Sequence, residues 1–247
     1  MRNRGSKMSV SGLCYLLMKI EVFADADSVA RQAATLIAAE AQAAVAVRDR
    51  FVMAVSGGHT PWIMLKALSQ EDIPWDKIHI AQVDERVAPA GHPDRNLTHL
   101  RESLLEHAPL SADQIYAMPV ESPDLESAAR QYAATLASLA GSPAVFDLIH
   151  LGLGPDGHTA SLVPGDPVLE INNNDVGITG VYQGRRRMTL TYPILNRARR
   201  ILWLVTGGEK IEMLGRLLKA DPSIPAGRVS QDQAIIFADR AATGHTN

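Results

Sequence analysis

The sequence holds one cysteine, Cys14, in 247 residues. A lone thiol excludes an internal disulfide framework and a cysteine-based zinc cluster, and it fits a reducing compartment, of which the cytoplasm is the simplest. No run approaches the ~18 apolar residues that cross a bilayer, so no membrane partner is expected. Basic residues are not gathered in one block. The 24 Lys and Arg are scattered among 27 Asp and Glu, leaving a net charge of -3, which disfavours nucleic acid as a partner. His79, His92, His99, His107 and His150 lack the paired spacing of an H-E-x-x-H helix, and no metal is expected. Ser161 lacks the G-x-S-x-G elbow of a nucleophilic serine, and helix capping is its better reading. Internal repeats and low-complexity blocks are missing as well.

Residues 1–17 place basic residues ahead of a short apolar patch, as a signal peptide does, but the patch is too short and Lys19 interrupts it. They read as a poorly structured extension, with residues 18–247 forming a single α/β domain. Hydrophobic residues make up 46% of the chain, enough to bury roughly 70 to 75% of the unfolded surface around a core.

From Met18 onward, short apolar runs alternate with longer amphipathic ones. "MKIEVF", "FVMAVS", "IHIAQVD", "QIYAMP", "FDLIHLGLG", "RMTLTYPIL", "RILWLVTG" and "QAIIFA" read as strands. Between them, "DSVARQAATLIAAEAQAAVAVRD", "TPWIMLKALS", "NLTHLRESLLEH", "DLESAARQYAATLASLA" and "EKIEMLGRLLKA" read as helices. The alternation predicts an open, mostly parallel sheet flanked by helices on both faces, a Rossmann-like α/β fold. The one long irregular stretch is "PGDPVLEINNNDVG", residues 164–177. In such sheets ligands bind beyond the carboxyl ends of strands, so the residues after each strand carry the functional question.

Four of those ends stand out. In "SGGHTP", Ser56, Gly57, Gly58, His59 and Thr60 lead into a helix, with Thr60 as its cap and Pro61 at its first position. Helix-start amides favour an anion such as phosphate, although the same residues make a good unliganded turn. In "VDERVAP", Asp84, Glu85 and Arg86 leave a buried strand, either as ligands or as a solvated turn. In "VTGGEK", Lys210 lies in the first turn of a helix, a poor place for a cation unless an anion is near. In "GLGPDGHTASLVPG", Gly152, Gly154 and Gly157 spell the dinucleotide fingerprint, but Pro164 and Pro167 break the helix that such a site requires. What remains is a turn that projects Asp156 and His158. A histidine with an ordinary pKa of roughly 6.5 is largely neutral at pH 7 and suits a general base, and equally suits a structural, hydrogen-bonded role.

Together "AVSGGHTP", "VDERVAPAGHPDRN", "LGLGPDGHTASLVPG" and "MTLTYPILNRARRILWLVTGGEK" are similar, in order and spacing, to the glucosamine-6-phosphate isomerase/6-phosphogluconolactonase family, on its lactonase side. The resemblance implies hydrolysis of 6-phosphoglucono-δ-lactone to 6-phosphogluconate in the oxidative pentose phosphate pathway, with no metal or organic cofactor and a small phosphorylated sugar lactone as the partner. By the same resemblance His158 is the base, with Asp156 orienting it or binding sugar hydroxyls. Arg86, Lys210 and the amides of residues 56–60 hold the anionic substrate, with Asp84, Asn96 and Gly157 in the same site. Three positions depart from the family pattern: His59 and Arg95 stand where serine is common, and Val163 where phenylalanine is commoner. The first two each add a cation on the expected phosphate side. Two alternatives remain: a deaminase of the glucosamine-6-phosphate type, disfavoured because "TASLVP" and "DER" replace sequences resembling "IAFNEP" and "DEY", and a non-catalytic sugar-phosphate sensor. The sequence leaves the oligomeric state open.

Overall fold

The computed structural model describes residues 18–245; the extension expected over residues 1–17 lies outside them. The chain runs β1 (Lys19–Phe23), α1 (Ala26–Arg48), β2 (Phe51–Val55), α2 (His59–Leu68), β3 (Ile78–Gln82), β4 (Asp84–Arg86), α3 (Asn96–Leu100) and β5 (Ile115–Tyr116). It continues through α4 (Leu125–Ala140), β6 (Leu148–Gly152), β7 (Val176–Ile178), β8 (Arg187–Leu190), α5 (Tyr192–Leu195), β9 (Ile201–Val205), α6 (Ile211–Leu218) and β10 (Ala234–Asp239).

Seven strands form one sheet in the order β1-β10-β9-β6-β2-β3-β5, and every pairing in it is parallel. Its strands bury both faces, which is why runs such as "FVMAV" and "ILWLV" are apolar throughout rather than alternating. Phe51, Met53 and Val55 point to one side, with α1, α2 and Leu100 of α3, while Val52 and Ala54 point to the other, with α4, α6 and β7–β8. On α1 the buried Ala30, Ala33, Ala34, Ile37, Ala38 and Ala41 follow helical spacing, and their small side chains let the helix lie close on its neighbours. Asp25 caps that helix by accepting from the Ser28 amide at 2.8 Å. Among the described residues no helix is long and apolar enough to cross a membrane.

Three sequence expectations change. "IHIAQVD" is not one strand: it ends at Gln82, and the chain crosses into β4, which pairs antiparallel with β8 in a second sheet of order β4-β8-β7. "RMTLTYPIL" gives four strand residues and then the short helix α5, started by Pro193 in its first turn. "NLTHLRESLLEH" is α-helical only to Leu100 and continues as a π-helical turn over Arg101–Leu105.

The order of the strands places the site. After β2 the chain builds outward through β3 and β5; with β6 it returns to the other side of β2 and builds the opposite way through β9 and β10. The loops after β2 and β6 therefore part in opposite directions, and a crevice opens beyond their carboxyl ends.

Candidate active site

That crevice holds a cleft of about 220 Å³ lined by Ser56, Gly57 and Gly58 after β2, Asp84 and Arg86 of β4, and Asn96 at the start of α3. Residues 152–155, His158 and Ala160 line it from the loop after β6, Arg187 from β8, and Lys210 from the turn before α6. The four strand ends singled out in the sequence thus meet in one place. Three cations and one carboxylate face the cleft, which makes it a site for an anion.

The loop after β6 forms no helix; the next regular element is a 3-10 turn over Pro167–Glu170, so the dinucleotide fingerprint is incidental. The loop presents a histidine–carboxylate pair instead. His158 Nδ1 lies 2.5 Å from Asp156 Oδ1. Asp156 Oδ2 accepts from the Tyr182 hydroxyl at 3.1 Å. Burial works to raise the Asp156 carboxyl, but the charge and hydrogen bonds of His158, with the bond from Tyr182, hold it below the usual carboxylate range. An ionised Asp156 accepts the Nδ1–H hydrogen bond of a neutral imidazole, which leaves the lone pair on Nε2. Gly154 makes room for this: a Cβ there would lie 2.1 Å from His158 Nδ1.

The helix after β2 has a different cap from the one expected. Gly58 is the N-cap of α2, and no side chain caps the helix. Thr60 instead hydrogen-bonds Thr206 Oγ1 at 2.8 Å, tying the loops after β2 and β9 together. The helix-start amides are left uncapped, and Gly57 and Gly58 bring the backbone to the cleft wall. Ser56 faces the cleft, yet its hydroxyl and amide are both committed to His150, at 2.9 Å to the carbonyl and 3.2 Å to Nδ1.

Behind the cleft lies a buried polar layer. Ser161 donates to Asp84 Oδ2 at 2.5 Å rather than capping a helix, and Arg187 Nη1 approaches its hydroxyl at 3.5 Å. Asn96 Nδ2 donates to the Asp84 carbonyl at 2.9 Å. Burial pushes the Asp84 carboxyl up, against the pull of Ser161, Arg187 and Arg86. Glu85, fully buried, accepts from the amides of Asn96 and Leu97, each at 2.8 Å, and so fixes the start of α3 from outside the helix.

His59, Thr60, Arg95 and Gly157 do not line the cleft, and Asp156 stands behind His158 rather than in its wall. His59 is exposed. Arg95 is buried, with Nε 3.1 Å from Glu85 and Nη1 donating to the Ala88 carbonyl at 2.8 Å, so neither residue adds a cation to the substrate side as expected. Gly157 backs onto Ile224. Two residues escaped the sequence reading: Arg187 and Tyr182. Arg187 is buried with no partner for Nε, and its guanidinium lies 4.9 Å from the Tyr182 ring centroid. The signal for them was the cationic "RRR" running into an apolar strand just after "YQG".

The family described as glucosamine-6-phosphate isomerases/6-phosphogluconolactonase matches residues 24–237. This chain belongs to it. A 6-phosphogluconolactonase of Synechocystis sp. is 39% identical over 196 residues, 77% of this chain and 81% of the relative. One of Mycobacterium tuberculosis is 35% identical over 237 residues, 90% of this chain and 96% of the relative. The crystal structure of 6-phosphogluconolactonase from Thermotoga maritima superposes with a TM-score of 0.80 at 27% identity, covering 90% of this chain and 98% of that one. A monomeric glucosamine-6-phosphate deaminase also gives 0.80, but at 18% identity the likeness concerns the fold alone.

Proposed function

We propose that this protein is a 6-phosphogluconolactonase in which neutral His158 activates a water molecule. The observation that carries the reading is the 2.5 Å contact of His158 Nδ1 with Asp156 at the edge of a cleft faced by Arg86, Arg187 and Lys210. The relatives that bear the lactonase name support the substrate, and the excess of positive charge in the cleft suits its phosphate.

The steps follow from the chemistry of a lactone. Water gives a proton to His158 Nε2 as its oxygen bonds to the ring carbonyl carbon, and the cleft cations or α2 amides stabilise the tetrahedral oxyanion. Collapse breaks the bond to the ring oxygen, which takes the proton back from the imidazolium; the new carboxylic acid then ionises into solvent. Asp156 holds the imidazole tautomer and stabilises the imidazolium. Arg86, Lys210 and the backbone of Gly57 and Gly58 hold the phosphate. A covalent nucleophile is not required, because a lactone is already an activated ester, and Ser161 is buried against Asp84.

The test is acid release in a pH-stat, corrected for spontaneous hydrolysis, with 6-phosphogluconolactone, unphosphorylated gluconolactone and glucosamine 6-phosphate as separate substrates. Rapid turnover of the first and slower turnover of the second are expected, with no ammonia from the third. Ammonia release from glucosamine 6-phosphate would select the deaminase.

A further inference from the structure

We propose that Tyr182 is a positioning residue for the His158–Asp156 pair, an assignment that rests on the reading of His158 as the base. The tyrosine stands on the connection between β7 and β8, where Tyr182 and Arg185 exchange backbone hydrogen bonds at 2.9 and 3.2 Å across Gln183 and Gly184. Both of those central residues have positive φ, 50° and 78°, so the chain reverses within two residues.

This hairpin is anchored on both sides. The Gly180 amide donates to Asp166 at 2.9 Å. Arg185 Nε donates to Asp94 at 2.6 Å, and the Val87 amide donates to the Arg186 carbonyl at 3.0 Å. Tyr182 is consequently held rather than left to swing, with Arg187 against one face of its ring and the His158 ring edge-on at 5.7 Å.

The two oxygens of Asp156 are divided between two donors, Oδ1 to His158 and Oδ2 to Tyr182. A carboxylate bonded at both oxygens cannot rotate about its own axis, so the imidazole plane and the direction of Nε2 are fixed together. Burial, followed by the bond to Asp156, raises the Tyr182 phenol and keeps it protonated as the donor. Tyr182 does not line the cleft, so its influence on turnover runs through Asp156 and not through substrate contact.

Removing only the hydroxyl tests this in the full chain. Tyr182→Phe keeps the ring against Arg187 and His158 and is expected to lower kcat on 6-phosphogluconolactone on the order of tenfold, with KM changed by less than about twofold. In an Asp156→Asn background the same substitution is expected to change kcat by less than about twofold, because the group it acts through is already lost. An unchanged kcat, an equal loss in both backgrounds, or a rise in KM alone would each overturn the assignment. His158→Gln, assayed beside it, separates the two readings. A parental rate there removes the base and this proposal with it, whereas an impaired His158→Gln with a fully active Tyr182→Phe removes the tyrosine's role alone.

Discussion

Two histidines sit eight positions apart on one strand and the loop that follows it, and they have opposite characters. His150, on β6, is fully buried; its Nδ1 accepts from the Ser56 amide, its Nε2 has no partner, and burial pushes its pKa down to about 3. His158 lines the cleft with the Asp156 carboxylate against its Nδ1. The imidazole is the same in both. One lies where a charge has no stabilising partner and therefore stays neutral; the other lies against a carboxylate that would stabilise an imidazolium, as the proposed mechanism requires. Environment, not residue type, separates the two.

The comparison is most exposed at His158 itself. His158→Gln keeps a polar side chain but cannot accept the proton, and kcat is expected to fall by about 10²- to 10⁴-fold with little change in KM. His150→Asn, which retains an acceptor for the Ser56 amide, is expected to stay within about threefold of the parent at pH 7. Equal losses from the two substitutions would erase the distinction.

The next effect is electrostatic. Arg86→Ala and Lys210→Ala are each expected to cost on the order of 1.5 to 3 kcal/mol in kcat/KM on the phosphorylated lactone, and far less on unphosphorylated gluconolactone. If both substrates slow equally, those side chains are not phosphate ligands.

The last effect concerns His150 and acid. Its folded-state pKa, about 3, lies below the ordinary 6.5, so between those values the unfolded chain binds a proton that the folded chain refuses. Stability from this residue is therefore lost as pH falls below about 6.5, by about 1.4 kcal/mol per unit, and is unaffected at higher pH. Urea unfolding of the parent and His150→Asn at pH 5 and pH 7 checks this: the variant is expected to lose less stability between the two. Parallel losses would mean that His150 does not titrate as its burial requires.

The large parallel sheet was legible because strands buried on both faces are apolar throughout, as "ILWLV" is, and because Gly and Pro punctuate their ends. His158, Arg86, Lys210 and the glycines after β2 were legible for the same reason, since each follows such a strand closely. The second sheet was not. β4, β7 and β8 are three or four residues long, and Arg86 pairs with Arg187 across about a hundred positions of chain, a separation that carries no local pattern. Arg187 and Tyr182 were lost with it. Arg95 misled for another reason: its type suggested an anion ligand, while its burial beside Glu85 binds it to the scaffold.

Gly154 leaves the His158 ring no spare room, so the ring can be disturbed by adding an atom instead of deleting a functional group. A single methyl at this position would occupy the space of His158 Nδ1. Gly154→Ala is accordingly expected to push the His158 ring off Asp156, and to slow turnover without deleting any functional group.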